Sequence, residues 1–202
     1  MSRVVAIDNL TLDGVMQAPG RPDEDRREGF EHGGWAVPYN AMGSLMEDGG
    51  GSTRALIFGR RTYEDFAAFW PRQTDNPYTP VLDNSQKYVA SMTLTEPLPW
   101  VNSTLLVGDA AEAVAGLREQ PGDDLVILGS GELVRSLMRR DLVDEFVLLI
   151  HPLILGSGRR LFTTDGSSRA DLELVSSRAT TTGVVIATYR PANRPGGVGE
   201  RQ

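Results

Sequence analysis

Short apolar runs alternate with helix-like segments along most of this chain, and this alternation limits the folds open to it. Runs of strand length occupy residues 4–7, 55–58, 88–90, 104–107, 125–128 and 146–150. Helical patterns follow the second, fourth and fifth of these runs. Two further runs, residues 172–175 and 184–189, come in succession with no helix between them. We therefore predict an α/β fold with a mostly parallel sheet, helices on both faces and an antiparallel strand pair at the C-terminal edge.

Local signals refine this outline. Asp109 can cap the helix that follows residues 104–107, and Glu112 three residues later completes a capping box. A short helix is expected over residues 39–47, ended by the glycines at 49–51. No repeat or second domain is evident, so we expect one domain over residues 1–190. The Pro-, Gly- and Arg-rich residues 191–202 are expected to form a flexible tail.

Composition excludes several kinds of site. The chain has no cysteine, which rules out disulfides and a cysteine nucleophile, and two histidines, His32 and His151, supply a metal centre poorly. The formal net charge of −7 argues against nucleic-acid binding, which needs clustered cations. No run approaches the roughly 18 apolar residues of a membrane helix, and the first residues do not form a signal peptide. We expect a cytoplasmic protein that binds a small molecule and has no metal, nucleic-acid or membrane partner.

Two glycine-containing segments lie between a predicted strand and a predicted helix. Helix beginnings present unpaired N–H groups that suit a phosphate, and the first segment adds two arginines as charged donors. The second segment lacks the third glycine of a dinucleotide-binding fingerprint, because Val134 stands there. In both cases the alternative is a plain tight turn. The segments are Gly59-Arg60-Arg61-Thr62 and Gly129-Ser130-Gly131-Glu132-Leu133.

A third segment, Gly156-Ser157-Gly158, follows a predicted strand without a good helical continuation. Its glycines are compatible with a close backbone approach to a ligand, or with a β-bulge or turn.

Taken in order, these segments resemble the dihydrofolate-reductase-like superfamily, particularly its branch related to the reductase domain of bacterial riboflavin biosynthesis. The resemblance covers about residues 4–190 and rests on residues 11–15, 59–64, 89–91, 129–131, 142–145 and 152–162. It implies a three-layer fold with a mixed sheet of about eight strands. It also implies an NADPH-dependent reductase of a small heterocyclic or nucleotide-like substrate, similar to 5-amino-6-(5-phosphoribosylamino)uracil reductase. Members of this branch often form homodimers through the C-terminal part of the sheet.

The resemblance also implies a role for individual residues. Asp13, Gly14 and Val15 would lie beside the nicotinamide and the substrate, and Gly156 and Gly158 would flank the substrate or the nicotinamide end. The adenosine phosphates would lie at Gly59, Arg60, Arg61 and Thr62, with Ser91 beside them. The pyrophosphate and the nearby ribose would lie at Gly129, Ser130, Gly131, Glu132 and Leu133.

This chain departs from the family pattern at two places. Many relatives carry an arginine directly after the serine at 91, where this chain has Met92, so a preference for NADPH over NADH rests on Arg60 and Arg61. The helix expected over residues 39–47 offers no carboxylate before Glu47 to bind a pterin, which disfavours folate reduction.

The proton donor is the least determined part of the site. Asp13 is the first candidate for substrate contact and catalysis, and a turn-forming Asp-Gly pair is the alternative. Glu31 or His32 could also donate a proton. Trp35 could stack on a planar substrate or hold the long loop against the core, whereas His151 is expected to be structural. Without a clear donor, two other functions stay open: a nucleotide-binding or regulatory module of the same fold without efficient turnover, and a structural protein.

Overall fold

The computed structural model describes residues 1–41, 43, 55–162 and 169–192, and these residues include eight strands in one mixed sheet. The order across the sheet is β4-β3-β2-β5-β1-β6-β8-β7. Neighbouring strands are parallel except for the pairs β6–β8 and β8–β7, which are antiparallel. The predicted α/β class, strand number and antiparallel C-terminal pair are confirmed. The strands are β1 (Val4–Thr11), β2 (Ala55–Gly59), β3 (Lys87–Ala90), β4 (Ser103–Leu106), β5 (Leu125–Leu128), β6 (Glu145–His151), β7 (Leu172–Ala179) and β8 (Val185–Pro191).

Helices cover both faces of this sheet. They are α1 (Arg60–Phe69), α2 (Thr79–Asn84), α3 (Ala110–Glu119) and α4 (Gly131–Met138), with 3-10 turns at Arg27–Gly29, Val37–Tyr39 and Trp70–Arg72. Asp109 caps α3 as predicted. The sequence did not indicate α2, because its six residues are too few to show a helical period. Most of the helix expected over residues 39–47 lies outside the described residues.

Alternate residues of β1 enter two different cores. Val4 and Ala6 pack with α3 and α4 on one face, whereas Val5 and Ile7 pack with Tyr63 of α1 on the other. This is the pattern of a strand that is buried on both sides, and it explains why its first four residues are all apolar.

β1 is longer than expected, since it continues past residue 7 to Thr11. Thr11 pairs with His151 of β6, whereas β5 ends at Leu128, the partner of Ile7. Past Ile7, β1 therefore has a strand neighbour on the β6 side and only the turn after β5 on the other. Ligands of open α/β sheets bind in a crevice at the carboxyl ends of the strands, and this divergence of β1 and β5 opens one.

The C-terminal boundary also differs slightly from the expected one. Pro191, which was placed in the tail, belongs to β8 and pairs with Leu172 of β7. The remaining tail residues 193–202 lie outside the described residues.

The long segment after β1 folds against the sheet and α1. Arg21 forms an ion pair with Asp65 of α1, and its guanidinium carbon lies 4.3 Å from the centre of the Phe69 ring. Val15, Ala18, Phe30 and Trp35 form a small core of their own beneath this segment.

Candidate functional site

Two helices begin side by side at the carboxyl edge of the sheet. β2 and β5 are parallel neighbours, so the turns that lead from them into α1 and α4 are adjacent. The backbone N–H of Gly59 donates a hydrogen bond of 3.0 Å to Oγ of Ser130 and joins the two turns. Ser130 has a φ of 60°, in the left-handed region that is costly for a residue with a Cβ. A strained serine that links two turns is characteristic of a functional site rather than of a plain connection.

Neither of these helices has a side-chain cap at its beginning. By contrast, Asp109 caps α3, with its Oδ1 accepting hydrogen bonds of 3.0 Å from the N–H groups of Ala111 and Glu112. No side chain does this for α1 or α4, so their first N–H groups and positive dipole ends remain available. The two beginnings therefore form a paired anion-binding surface.

A cavity of about 1050 Å³ opens onto both helix beginnings. Pockets for one small molecule are generally about 300–1,000 Å³, so this cavity is at the upper end of that range. All nine residues predicted at the two glycine segments line it, as does Ser91. The lining at these segments is Gly59, Arg60, Arg61, Thr62, Gly129, Ser130, Gly131, Glu132 and Leu133.

The side chains at this end differ in how they can act. Arg60 is half-buried and Arg61 is exposed, so both are placed to meet a charged ligand. The side chain of Leu133 is buried in the core, which leaves its backbone for any ligand contact. Glu132 pairs with Arg159 at 3.0 Å. Oγ of Ser91 accepts hydrogen bonds from the N–H groups of Thr93 and Leu94 and therefore shapes the turn after β3.

Asp13 joins two distant loops outside this cavity. Its Oδ1 accepts hydrogen bonds from Thr11 Oγ1 at 2.6 Å and from Leu155 N–H at 3.2 Å, and its Oδ2 accepts from Gly156 N–H at 2.9 Å. The hydrogen bond from Thr11, followed by those from the backbone, lowers the pKa of Asp13 to about 2. An acid that is ionised at neutral pH accepts hydrogen bonds and cannot supply a proton, so this geometry favours a structural role.

The glycines predicted near Asp13 serve the same junction between loops. Gly158 has a φ of 111°, and a Cβ there would lie 2.6 Å from the Phe30 ring and 2.8 Å from Val15. The N–H of Gly14 donates to the Thr11 carbonyl, and the Gly14 carbonyl accepts from Leu161 N–H. The structure thus brings Asp13, Gly14, Val15, Gly156 and Gly158 together, but none of them is among the residues that line the cavity.

Trp35 and its neighbours also lie away from the cavity. Trp35 is buried, and its indole N–H donates to the Gln17 carbonyl at 2.7 Å. These are the contacts of a residue that holds a loop. Glu31 and His32 are exposed, and neither lines the cavity. His151 is fully buried with Nε2 hydrogen-bonded to Oδ1 of Asn9 at 2.9 Å, and burial lowers its pKa to about 4.

Several cavity residues were not identified from the sequence: Asp8, Met16, Gln17, Arg135 and Arg159. Met16 lies directly over Gly131, where a Cβ would overlap its sulfur. The sequence contained an indication that Asp8 is functional, because it is an acidic residue inside an otherwise buried strand. The predicted first strand instead ends before it, at residue 7.

Neither a metal site nor a membrane-spanning helix is found in the part of the chain that the structure describes. Over residues 1–41, 43, 55–162 and 169–192, no group of three or more acidic or histidine side chains could hold a metal ion. Within the same ranges no helix has the length and apolar character needed to cross a bilayer.

Comparison with known proteins identifies relatives over almost the whole chain. The model of the family described as the RibD C-terminal domain matches residues 4–186. The uncharacterised protein YyaP of Bacillus subtilis is 31% identical over 139 residues, which are 66% of this chain and 72% of that protein. YwjB of the same organism, also uncharacterised, is 31% identical over 108 residues, 53% of this chain and 57% of its own.

Solved structures show the same fold. A protein of Shewanella sp. PV-4 described as a riboflavin biosynthesis protein superposes with a TM-score of 0.66 and 22% identity, over 95% of this chain and 99% of that one. Dihydrofolate reductase from Enterococcus faecalis, in complex with NADP(H) and RAB-propyl, gives a TM-score of 0.59 and 17% identity, over 95% and 97% of the two chains. At these identities the likeness establishes the dihydrofolate-reductase-like fold and nothing finer.

Proposed function

Because the chain belongs to the RibD C-terminal domain family, we propose that it is an NADPH-dependent reductase of a small heterocyclic or nucleotide-like substrate. The observation that carries the proposal is the pair of uncapped helix beginnings joined by Gly59 and Ser130 and open to one large cavity. Two adjacent anion sites on one cavity suit a ligand with two separated phosphate groups, which is the character of a dinucleotide phosphate.

The residues around the cavity fit such a cofactor. The backbone N–H groups that begin α4 would hold the pyrophosphate, and those that begin α1 would hold the adenosine end. Arg60 and Arg61 would pair with the 2′-phosphate, since guanidinium groups match phosphate oxygens in charge and geometry. The cofactor would supply a hydride, and the work of the protein is to align the two ligands and to provide a proton.

The substrate would occupy the part of the cavity beside the second half of β1, past the end of β5. Asp8, Asn9, Met16 and Gln17 line this part. We propose a planar heterocycle or nucleotide-like molecule similar to 5-amino-6-(5-phosphoribosylamino)uracil, reduced in the cytoplasm.

A second candidate is a nucleotide-binding or regulatory module without efficient turnover. The specific observation in its favour is that the three proton donors considered from the sequence, Asp13, Glu31 and His32, do not line the cavity. A protein of this kind would bind NADPH and leave it unoxidised.

One series of measurements separates the two candidates. NADPH and NADH are titrated into the protein while fluorescence is followed, because Trp70 lines the cavity and should respond to a bound nicotinamide. Oxidation of NADPH is then followed by absorbance with a panel of pyrimidine, pterin and quinone acceptors. Binding and oxidation support the reductase, binding without oxidation by any acceptor supports the module, and no binding at millimolar cofactor refutes both.

We propose in addition that two copies associate through β7. This strand is at the edge of the sheet, it is eight residues long, and Leu174 and Val175 are 52% and 46% exposed. An open edge with apolar side chains is a surface that proteins ordinarily cover. Light scattering should give the mass of a dimer for the wild type and of a monomer for Leu174→Lys, and a monomeric wild type would refute the proposal.

A further inference from the structure

Asp8 lies at the point where β1 and β5 separate. It follows Ile7, the last residue of β1 that pairs with β5, and it pairs with Leu148 of β6 on its other side. Asp8 alternates with Ala6 and Leu10, which pack in the core on the α3 and α4 face. It is therefore a carboxyl group in a position that an apolar side chain normally fills.

The surroundings of Asp8 leave part of its hydrogen-bonding capacity unused. The residue is 2% exposed, and among the described residues its Oδ2 has no hydrogen-bond partner. Buried polar atoms of native proteins are almost always paired, so an unpaired one requires an explanation. A ligand that completes the hydrogen bond is one such explanation when the residue lines a cavity, as Asp8 does.

Asp8 is also adjacent to the glycine turn that begins α4. The N–H of Gly129 donates a hydrogen bond of 3.2 Å to the carbonyl of Ile7, the residue before Asp8. Met16, Gly131 and Arg135 line the same cavity. Asp8 therefore lies between the turn proposed for the pyrophosphate and the part of the cavity proposed above for the substrate.

Burial favours the neutral form of Asp8, and the one charged group among the described residues that acts on it opposes this only weakly. Arg135 of α4 acts on it electrostatically, but the Nη1 of Arg135 already donates to the carbonyls of Arg160 and Leu161 at 3.0 and 3.1 Å. On β6, the residue that pairs with Asp8 is the apolar Leu148. Burial outweighs the attraction of Arg135 and raises the pKa of Asp8 well above its usual range.

From this geometry we propose that Asp8 is the proton donor of the reaction and that the substrate is a planar heterocycle reduced at a carbon–nitrogen or carbon–oxygen double bond. The inference rests on the reductase proposed above. The hydride from NADPH bonds to the carbon, and the π electrons of the double bond move to the heteroatom. The heteroatom takes the proton from the Asp8 carboxyl, which leaves NADP⁺ and an Asp8 carboxylate. Water then returns a proton to Asp8.

A buried acid lowers the free energy of unfolding at pH values where it would be ionised in the unfolded chain. Its effect on stability can therefore be measured without a substrate. The unfolded chain releases the Asp8 proton near pH 4, whereas the folded protein holds it to a higher pH. Stability contributed by the bound proton is therefore present at low pH and is lost as the pH rises through the folded pKa. Asp8→Asn keeps the shape and removes the titration, so its melting temperature should rise relative to the wild type between pH 5 and pH 8.

The protonated carboxyl can be observed directly. The infrared spectrum of the wild type at pH 7 should contain the carbonyl band of a protonated carboxylic acid, and this band should disappear in Asp8→Asn. Glu24 is the matched control, because burial also raises its pKa. The Asp8 band should remain in Glu24→Gln. If Asp8→Asn does not fold, the spectrum of Glu24→Gln decides by itself, and an absent band overturns the proposal.

Activity measurements complete the test. Asp8→Asn should bind NADPH as the wild type does, and its oxidation of NADPH by an accepted substrate should fall about 100-fold. The decline of wild-type kcat/KM with rising pH should disappear in the variant. Unchanged turnover in Asp8→Asn would overturn the role of Asp8 and leave the reductase proposal intact. Failure of the wild type to bind NADPH would instead remove the reductase, while the infrared band would still report on Asp8.

Discussion

The backbone N–H of Gly59 and the hydroxyl oxygen of Ser130 lie 3.0 Å apart, although the two residues are 71 positions apart in the chain. Ser130 accepts this bond while its backbone is in the left-handed conformation. It holds together the beginnings of the only two long helices, among the described residues, that start at this cavity without a side-chain cap.

Replacement of Ser130 should affect stability and cofactor binding together. Ser130→Ala removes the hydrogen bond and keeps a Cβ in the left-handed conformation, so the free energy of unfolding should fall by about 1 kcal/mol. Ser130→Gly also loses the bond but tolerates the conformation, and it should be more stable than Ser130→Ala. Urea denaturation measures this order. Both variants should bind NADPH about tenfold more weakly, and wild-type affinity in either would show that the bond does not organise the site.

The two arginines of α1 should determine which cofactor is preferred. Removal of both side chains, in Arg60→Ala with Arg61→Ala, should weaken NADPH binding at least about tenfold, since each pairing with phosphate is charge-assisted. NADH lacks the 2′-phosphate and should be affected little. Titration calorimetry with both cofactors measures the difference, with exposed Arg72→Ala as the control. Equal losses for the two cofactors would refute the assignment of these residues to the 2′-phosphate.

Gly156 and Gly158 form a matched pair that separates backbone conformation from packing. Both have positive φ, 76° and 111°, but a Cβ at Gly156 would contact nothing within 4 Å. Gly156→Ala should cost about 1 kcal/mol for the backbone alone. Gly158→Ala must also displace Phe30 and Val15, and it should cost about 3 kcal/mol. Thermal and urea denaturation test the order, and similar losses would contradict this account of the loop junction.

Buried His151 should make stability depend on pH. The unfolded chain protonates this group below about pH 6.5, whereas the folded protein resists protonation down to about pH 4. Stability is therefore complete above pH 6.5 and decreases as the pH falls through this window, by up to about 3 kcal/mol.

His151→Gln, which keeps an acceptor or donor for Asn9, should remove this contribution from the pH dependence of unfolding. Exposed His32→Gln provides the control and should change the profile little. If both variants give the wild-type profile between pH 4 and 6.5, His151 does not remain neutral in the folded protein.

The sequence predicted the fold better than it predicted the site. Apolar runs located all eight strands, because the pattern of a strand is local, even in β7, which is mostly exposed. The apolar pattern missed α2, whose six residues carry no period, and it ended β1 at Ile7, because Asp8 and Asn9 are polar. Pairing with β6 holds those two residues in the strand, and this pairing connects residues about 140 positions apart.

Within the candidate site too, local features could be predicted from the sequence, whereas contacts between distant residues could not. The turns at Gly59 and Gly129 could be recognised because a strand that leads into a helix is a local feature, and the structure brings both onto one cavity. The resemblance implied that Asp13 and Gly156 both lie near the substrate, whereas in the structure they hydrogen-bond to each other and neither lines the cavity. No sequence pattern shows which distant residue will form a hydrogen bond with a given side chain.

The sequence by itself therefore determined the α/β class, the number of strands and the two helix beginnings that face the cavity, because short-range periodicity and glycine turns act over a few residues. Only the tertiary structure decided that Ser130 accepts a hydrogen bond from Gly59, that Asp13 joins two loops and that Asp8 is buried. Each of these depends on which strands lie side by side. Burial, which controls the charge of Asp8, arises only when β6 and α4 have packed around it.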